Sequence, residues 1–597
     1  MIKILFFCFI MNCLYSNNFG KLIQGEFEFN VFIYRTETIK GVRYLSFTDK
    51  TVIDKFKSYI LCYELSEPLF EKNCDRNIRS LVENKDFFGF TNIEDVDNFL
   101  IQSTERSKVG GATFHRIIYV SPGYDTLKEQ KLSGLIILPT DKNGDTLTTK
   151  NIKGIVLYYH GTIFSKFNAP SNYIDDGKLK TLYGFETYKN SNFREQLSLA
   201  YIFVSNGYIV IAPDYIGLGY NHQQMHPYFI GTKENALSGI YMLPAANDYL
   251  KRLNIDLSDI PHHDLFISSY SEGAGYALKT TELLDYEFAD ILSNLKLKLL
   301  MTFSVSGSYS LQKMIDYMYS NVDSVELSSK SNWNTNPSCT RDGVELCKVK
   351  DGWSGIANVR INLALYKIIY SLYFFSSLSQ YNKIYSIESF VNENISKIRN
   401  CVKVNFNSGE ISEEFQVKDC KKFYPEITNV SQFNDLFTLP LSSEYFSLII
   451  SSLVIESKYF INESHTLKKL LNLISKNENN FNNINIYSSM EFAENKTFFN
   501  NLKKITDTYD INTTTPIEVL SLKYDSVVPN INSTIACNSE YGIKVHKSAT
   551  LVCKQLDNTK FWSPFLRNQT IYLEHSGANS FFMLHEVQMM NKLFSTN

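Results

Sequence analysis

No block of like charge, no zinc-type cysteine spacing, no internal repeat and no bilayer-length apolar run occurs in this chain. Each absence excludes something. Lys and Arg number 59 against 62 Asp and Glu, for a net charge of −3, and no basic stripe is present. That argues against nucleic acid as a partner. Ile361 to Ser377 comes nearest to the ~18 uninterrupted apolar residues of a membrane span, but Arg360 flanks it and Lys367 interrupts it. The ten cysteines contain no CxxC pair, which disfavours structural zinc. His222, His226, His262 and His263 lack carboxylates at useful spacing, so no metal set is expected.

What is present suits a large globular protein. A hydrophobic content of 44% with 14% aromatics is ample for a core. Residues 1–20 read as an export signal: Lys3, then an apolar run from Ile4 to Met11, then small residues from Ser16 to Gly20. Export makes disulfides permissible. The simplest connectivity pairs neighbours: Cys62 with Cys74, Cys339 with Cys347, Cys401 with Cys420, and Cys537 with Cys553.

Residues 21–110 read as an N-terminal extension, with strand-like alternation near Phe27, Phe29, Val31 and Ile33. Two strands are expected at 114–120 and 133–139, the antiparallel opening of a sheet, with a turn signal at Pro122-Gly123 between them. Short, unalternating apolar runs follow at 154–159, 208–212, 265–267 and 297–303, separated by helix-length segments. Such runs are buried on both faces, as in a parallel sheet covered by helices. Chemistry in such sheets gathers beyond the carboxyl ends of the strands.

The rhythm breaks over 308–510, which holds long apolar stretches and an Asn-rich tract from Asn477 to Asn485. This reads as a mainly helical cap or lid inserted into a core made of 111–307 and 511–597. Sheet-like runs resume at 517–522 and 571–573, and Met583, Val587, Met590 and Phe594 form a closing helical stripe.

The stretch Ser269-Tyr270-Ser271-Glu272-Gly273 lies between an apolar strand and a small-residue helix start. That context suits a nucleophile elbow, in which a tight turn lifts the central serine above the sheet. A serine hydroxyl needs an imidazole to take its proton and a carboxylate to fix that imidazole's tautomer. Asp525, beyond the strand ending at Leu522, and His575, beyond Ile571-Tyr572-Leu573, supply both in the order Ser, Asp, His. His585, on the closing helix, is read as a packing or solvent-facing residue. Asp214 is read as a structural acceptor for the Gly-rich loop after it.

With these residues in place, the chain from about 113 to 594 resembles the α/β-hydrolase superfamily, and most nearly its secreted lipase and esterase branch. The matching pieces are Ser133-Gly134-Leu135, His160-Gly161-Thr162, the run Ala212 to Gly219, His226-Pro227-Tyr228, the elbow, Asp525 with its Val-Val-Pro tail, and His575. One departure is Ser269, where the elbow pattern has glycine. The resemblance implies nucleophile Ser271, acid Asp525, base His575 and an oxyanion hole from the amides of Thr162 and Glu272. It implies no cofactor and no metal. It also implies an exported ester hydrolase acting on small-molecule or lipid esters, in transient contact with lipid surfaces. Three other readings fit the same residues: a prolyl-oligopeptidase-type peptidase, an acyltransferase, and a non-catalytic binding protein on a hydrolase scaffold.

Overall fold

The computed structural model describes residues 22–28, 36–39, 42–47, 71–96, 98–99, 108–124, 128–163, 169–172, 193–221, 226–310, 507–523, 525, 528, 530–557 and 575–596, with two isolated strand pairs, 340–341 with 344–345 and 404–405 with 410–411. One eleven-stranded sheet organises them. Its strands are β1 (Leu22–Glu28), β2 (Thr36–Ile39), β3 (Val42–Ser46), β4 (Gly111–Pro122), β5 (Glu129–Thr140), β6 (Gly154–Tyr159), β7 (Tyr208–Pro213), β8 (Asp264–Ser269), β9 (Lys298–Val305), β10 (Ile517–Leu522) and β11 (Leu551–Leu556).

The order across the sheet is β11-β10-β9-β8-β6-β7-β5-β4-β3-β2, with β1 also on β4. β7, β6, β8, β9, β10 and β11 run parallel, and β5 is antiparallel to both its neighbours. From β4 onward this is the strand order of the α/β-hydrolase fold, with its single reversed strand second in the chain. Residues 22–46 lengthen the antiparallel edge, β3 pairing with the start of β4 and β1 with its later part.

The central strands form because their residues suit complete burial. In β6, Ile155, Val156, Leu157, Tyr158 and Tyr159 are fully buried, as are Tyr208, Ile209, Val210 and Ile211 in β7. At roughly 1.5–3 kcal/mol per large apolar side chain, these two strands dominate the local stability. Helices α1 (Glu71–Glu83), α2 (Lys85–Phe88), α3 (Phe193–Ser198), α4 (Thr232–Arg252), α5 (Glu272–Asp285), α6 (Ala289–Leu295), α7 (Ile531–Ala536) and α8 (His575–Thr596) complete the core. α4, α5 and α6 pack on one another, while α8 packs against α3, α2 and strands β8 to β10. The expected stripe is on α8, where Met583, Val587 and Met590 are fully buried.

Observed strands extend beyond the expected apolar runs. β4 and β5 pair over twelve residues each, from Gly111↔Thr140 to Pro122↔Glu129. The strand beside β10 is β11, which sequence reasoning missed, whereas the expected strand at 571–573 lies outside the described residues. The reason is visible in β11: as the edge strand it exposes Cys553 and Gln555 and keeps only Leu556 fully buried, so it lacks an apolar signature. Most of the expected cap at 308–510 also lies outside the described residues.

Cys537 and Cys553 form a disulfide, as expected. The other three expected pairs each include cysteines outside the described residues. The Cys537–Cys553 bond ties the end of α7 to β11. Among the described residues, no helix is long and apolar enough to cross a membrane.

Candidate active site

Ser271 stands between β8 and α5 with φ 55° and ψ −116°. A non-glycine residue at positive φ is strained, and here the neighbours fix it. The Ser271 amide donates to Val305 O at 2.8 Å and the Tyr270 amide to Tyr159 O at 3.0 Å. Gly273 is required by close approach: a Cβ there would lie 2.3 Å from Tyr159 O and 2.6 Å from His160 O. The helix thus starts directly against the end of β6. Ser269, in the place of the usual glycine, is buried, and its hydroxyl donates to Phe303 O at 2.8 Å. The extra oxygen is satisfied by the neighbouring strand, so the substitution is accommodated.

His575 is the first residue of α8, and Asp525 lies three residues beyond β10. Its Nδ1 sits 2.7 Å from Asp525 Oδ2 and its Nε2 2.8 Å from Ser271 Oγ. All three residues are buried. Asp525 Oδ1 accepts from the Val528 amide at 2.9 Å, which orients the carboxylate. An acceptor facing Nδ1 places the ring proton there and leaves Nε2 to accept from Ser271. The Tyr270 hydroxyl donates to His575 O, and the two rings lie 4.9 Å apart. Further along α8, Asn579 donates to Tyr158 Oη at 2.8 Å and to Glu195 Oε1 at 3.1 Å.

The segment His160 to Ile163 passes beside the serine. A Cβ on Gly161 would lie 3.3 Å from Ser271 Cβ. Its carbonyls are held one by one: Tyr215 Oη donates to His160 O at 2.9 Å, His160 Nδ1 to Gly161 O at 2.7 Å, and Tyr228 Oη to Ile163 O at 2.5 Å. Burial pulls the His160 imidazole down to about 4, so the ring is neutral near pH 7. Glu195 receives the Gly161 amide, Tyr158 and Asn579, and burial pushes its carboxyl up against those bonds. Thr162 Oγ1 is buried without a hydrogen-bond partner among the described residues. The Glu272 amide is the first N–H of α5, and such a group has no acceptor within its own helix.

Asp214 is structural, though not in the expected way. It accepts from Ser133 Oγ at 2.5 Å, from the Ser171 amide at 2.8 Å and from the Ser171 hydroxyl, while the Gly217 amide is taken by Asn221 Oδ1 at 2.9 Å. Burial pushes the Asp214 carboxyl up. His585 is buried away from the serine, its Nε2 lying 3.2 Å from Glu518 Oε2 and its Nδ1 on Phe87 O. Sequence reasoning left the Glu272 side chain unassigned, yet it is buried and lies 3.0 Å from His226 Nε2. The signal available was His226-Pro227-Tyr228, a motif with no role attached to it.

No protein-family profile matches the chain, and no curated protein matches it. Among solved structures the chain is similar to a protein from Legionella pneumophila, at 17% identity and a TM-score of 0.43, covering 84% of this chain and 94% of that one. It is similar to the rice cell wall degrading esterase LipA from Xanthomonas oryzae at 15% identity, TM-score 0.38, covering 79% and 90%. Candida antarctica lipase A follows at 12% identity, TM-score 0.36, covering 74% and 73%. At these levels the likenesses add nothing to the fold, which the strand order of the chain itself defines.

Proposed function

We propose that the chain is an exported serine hydrolase of carboxylic esters, with Ser271 as nucleophile, His575 as general base and acid, and Asp525 as the group that orients His575. The observation carrying this reading is the bridging imidazole, 2.7 Å from Asp525 Oδ2 and 2.8 Å from Ser271 Oγ, beneath a serine on a strained strand-to-helix turn. These are hydrogen-bonding distances for a nucleophile and its base.

In this mechanism Ser271 Oγ attacks the ester carbonyl carbon as His575 Nε2 takes its proton. The carbonyl oxygen becomes an oxyanion held by the amides of Thr162 and Glu272. Collapse breaks the ester C–O bond, and the alcohol leaves with the proton from His575. Water, deprotonated by His575, attacks the acyl-enzyme and releases the acid. The Asp525 carboxylate stabilises the imidazolium formed in each half-reaction. Residues 308–510, rich in apolar side chains, are assigned to a cap that receives the acyl chain, and residues 1–20 to the export signal.

The test is the purified protein against nitrophenyl esters of graded chain length, together with a fluorophosphonate probe. Ester turnover and labelling, both lost in Ser271→Ala, are expected. Folded wild type that neither labels nor hydrolyses would refute the reading.

A further inference from the structure

The residue contributing one proposed oxyanion amide also carries a buried carboxylate. Glu272 Oε1 lies 3.0 Å from His226 Nε2 and receives the Tyr276 hydroxyl at 2.6 Å. Burial alone would push this carboxyl up, but the charge and hydrogen bond of His226 and the Tyr276 bond hold it below the usual carboxylate range. His226 Nδ1 faces Ile216 O at 2.7 Å. Both ring nitrogens therefore face acceptors, an arrangement that a doubly protonated imidazole satisfies with two donated bonds.

His226 also reaches the other wall of the site. It stacks on Tyr215 with ring centroids 5.8 Å apart and meets Tyr228 edge-on at 4.4 Å. The hydroxyls of those tyrosines hold His160 O and Ile163 O, on either side of Thr162. One imidazole thus touches the supports of both proposed oxyanion donors.

A bare carboxylate buried beside a developing oxyanion would raise the barrier that the amides lower. We propose that His226 is a positioning residue for the oxyanion hole, neutralising Glu272 and bracing the Tyr215–Tyr228 frame around Thr162. This rests on the reading of Ser271 as nucleophile. A buried ion pair with only a structural role predicts something different: lost stability, with unchanged turnover in the molecules that remain folded.

The experiment compares full-length wild type, His226→Gln, Glu272→Gln and the double variant by kcat and KM on a nitrophenyl ester, with thermal melting as the folding control. Loss of one oxyanion donor costs ~10²–10³ in rate. His226→Gln is expected to lower kcat about 10²-fold with KM within about threefold, because the charge opposes the transition state rather than the bound ester. The double variant, with no charge to neutralise, is expected to recover at least about tenfold of that loss. A folded His226→Gln with wild-type kcat, or a folded double variant no better than His226→Gln, overturns the proposal. If His226→Gln does not fold, Tyr276→Phe removes one bond to Glu272 with little change of shape, and should lower kcat about threefold or more at constant KM. Unchanged kcat in that variant overturns the proposal as well. A folded wild type with neither turnover nor labelling overturns the serine-hydrolase reading itself, a result distinct from any of these.

Discussion

Replacing Asp525 by Asn tests the tautomer argument without disturbing the shape of the site. Asp525 Oδ2 and His575 Nδ1 are 2.7 Å apart, and Oδ1 accepts the Val528 amide at 2.9 Å. In Asp525→Asn the side-chain oxygen can keep the Val528 bond, which turns the amide NH2 toward His575. Nδ1 must then accept, the ring proton moves to Nε2, and Ser271 loses its base. For such a tautomer error a loss of ~10⁴ in kcat is expected, about 5 kcal/mol of transition-state stabilisation at ~1.4 kcal/mol per decade. Stability should change little, by about 1 kcal/mol or less, since packing and the Val528 bond persist. The assay is steady-state hydrolysis of a short nitrophenyl ester, with urea unfolding alongside and fluorophosphonate labelling followed over time. Labelling should slow in step with kcat. A folded Asp525→Asn that keeps more than about a tenth of wild-type kcat would refute the assignment, because another group would then be orienting His575.

Gly273→Ala places a methyl 2.3 Å from Tyr159 O; backbone cannot yield cheaply there, so a loss of about 1–3 kcal/mol and slowed labelling of Ser271 are expected, and wild-type melting would show the contact to be relieved elsewhere. Removing both Cys537 and Cys553, 16 residues apart in the chain, should cost about 3 kcal/mol by loop entropy, read from urea unfolding before and after reduction. Glu586 is buried, and that burial together with the nearby Glu518 charge holds its carboxyl well above the usual range. A raised folded-state value contributes stability that is complete below the ordinary glutamate range and lost as pH rises through the folded value. Glu586→Gln should therefore flatten the fall in melting temperature on the alkaline side, and parallel curves from about pH 5 to 9 would contradict this.

The sheet was legible in the sequence wherever both faces of a strand are buried. β6 reads as Ile-Val-Leu-Tyr-Tyr, five fully buried side chains in succession, and its expected bounds match the observed Gly154–Tyr159. β10 likewise matches at Ile517–Leu522. β11 was invisible because an edge strand needs apolar residues on one face only, and Lys554 spends its charge on Glu518 at 2.8 Å. The residues of the Ser-His-Asp arrangement were legible because each follows an apolar run or opens a helix, which are local signals. The partners of Glu272 were not. His226 is 46 residues away in the chain, and its pairing arises from where α5 starts relative to the loop after β7. No local pattern encodes that relation.

The same distinction explains how a strained serine can be held. The elbow itself is short and built of small residues, so it has little packing area with which to resist relaxation. Resistance comes from groups brought in from far along the chain: Val305 O on the Ser271 amide, Phe303 O on the Ser269 hydroxyl, and His226 on Glu272. Glu195 likewise ties the Gly161 amide to Asn579, one turn beyond His575. Ser271, His575 and the His160–Ile163 segment are thereby joined through buried polar groups, side chain and backbone, that come from other elements. Buried polar bonds are costly to leave half-made, so displacement of one element exposes unpaired groups in the others. Rigidity of this kind is what preorganised amides need if they are to face an oxyanion without reorganising during the reaction.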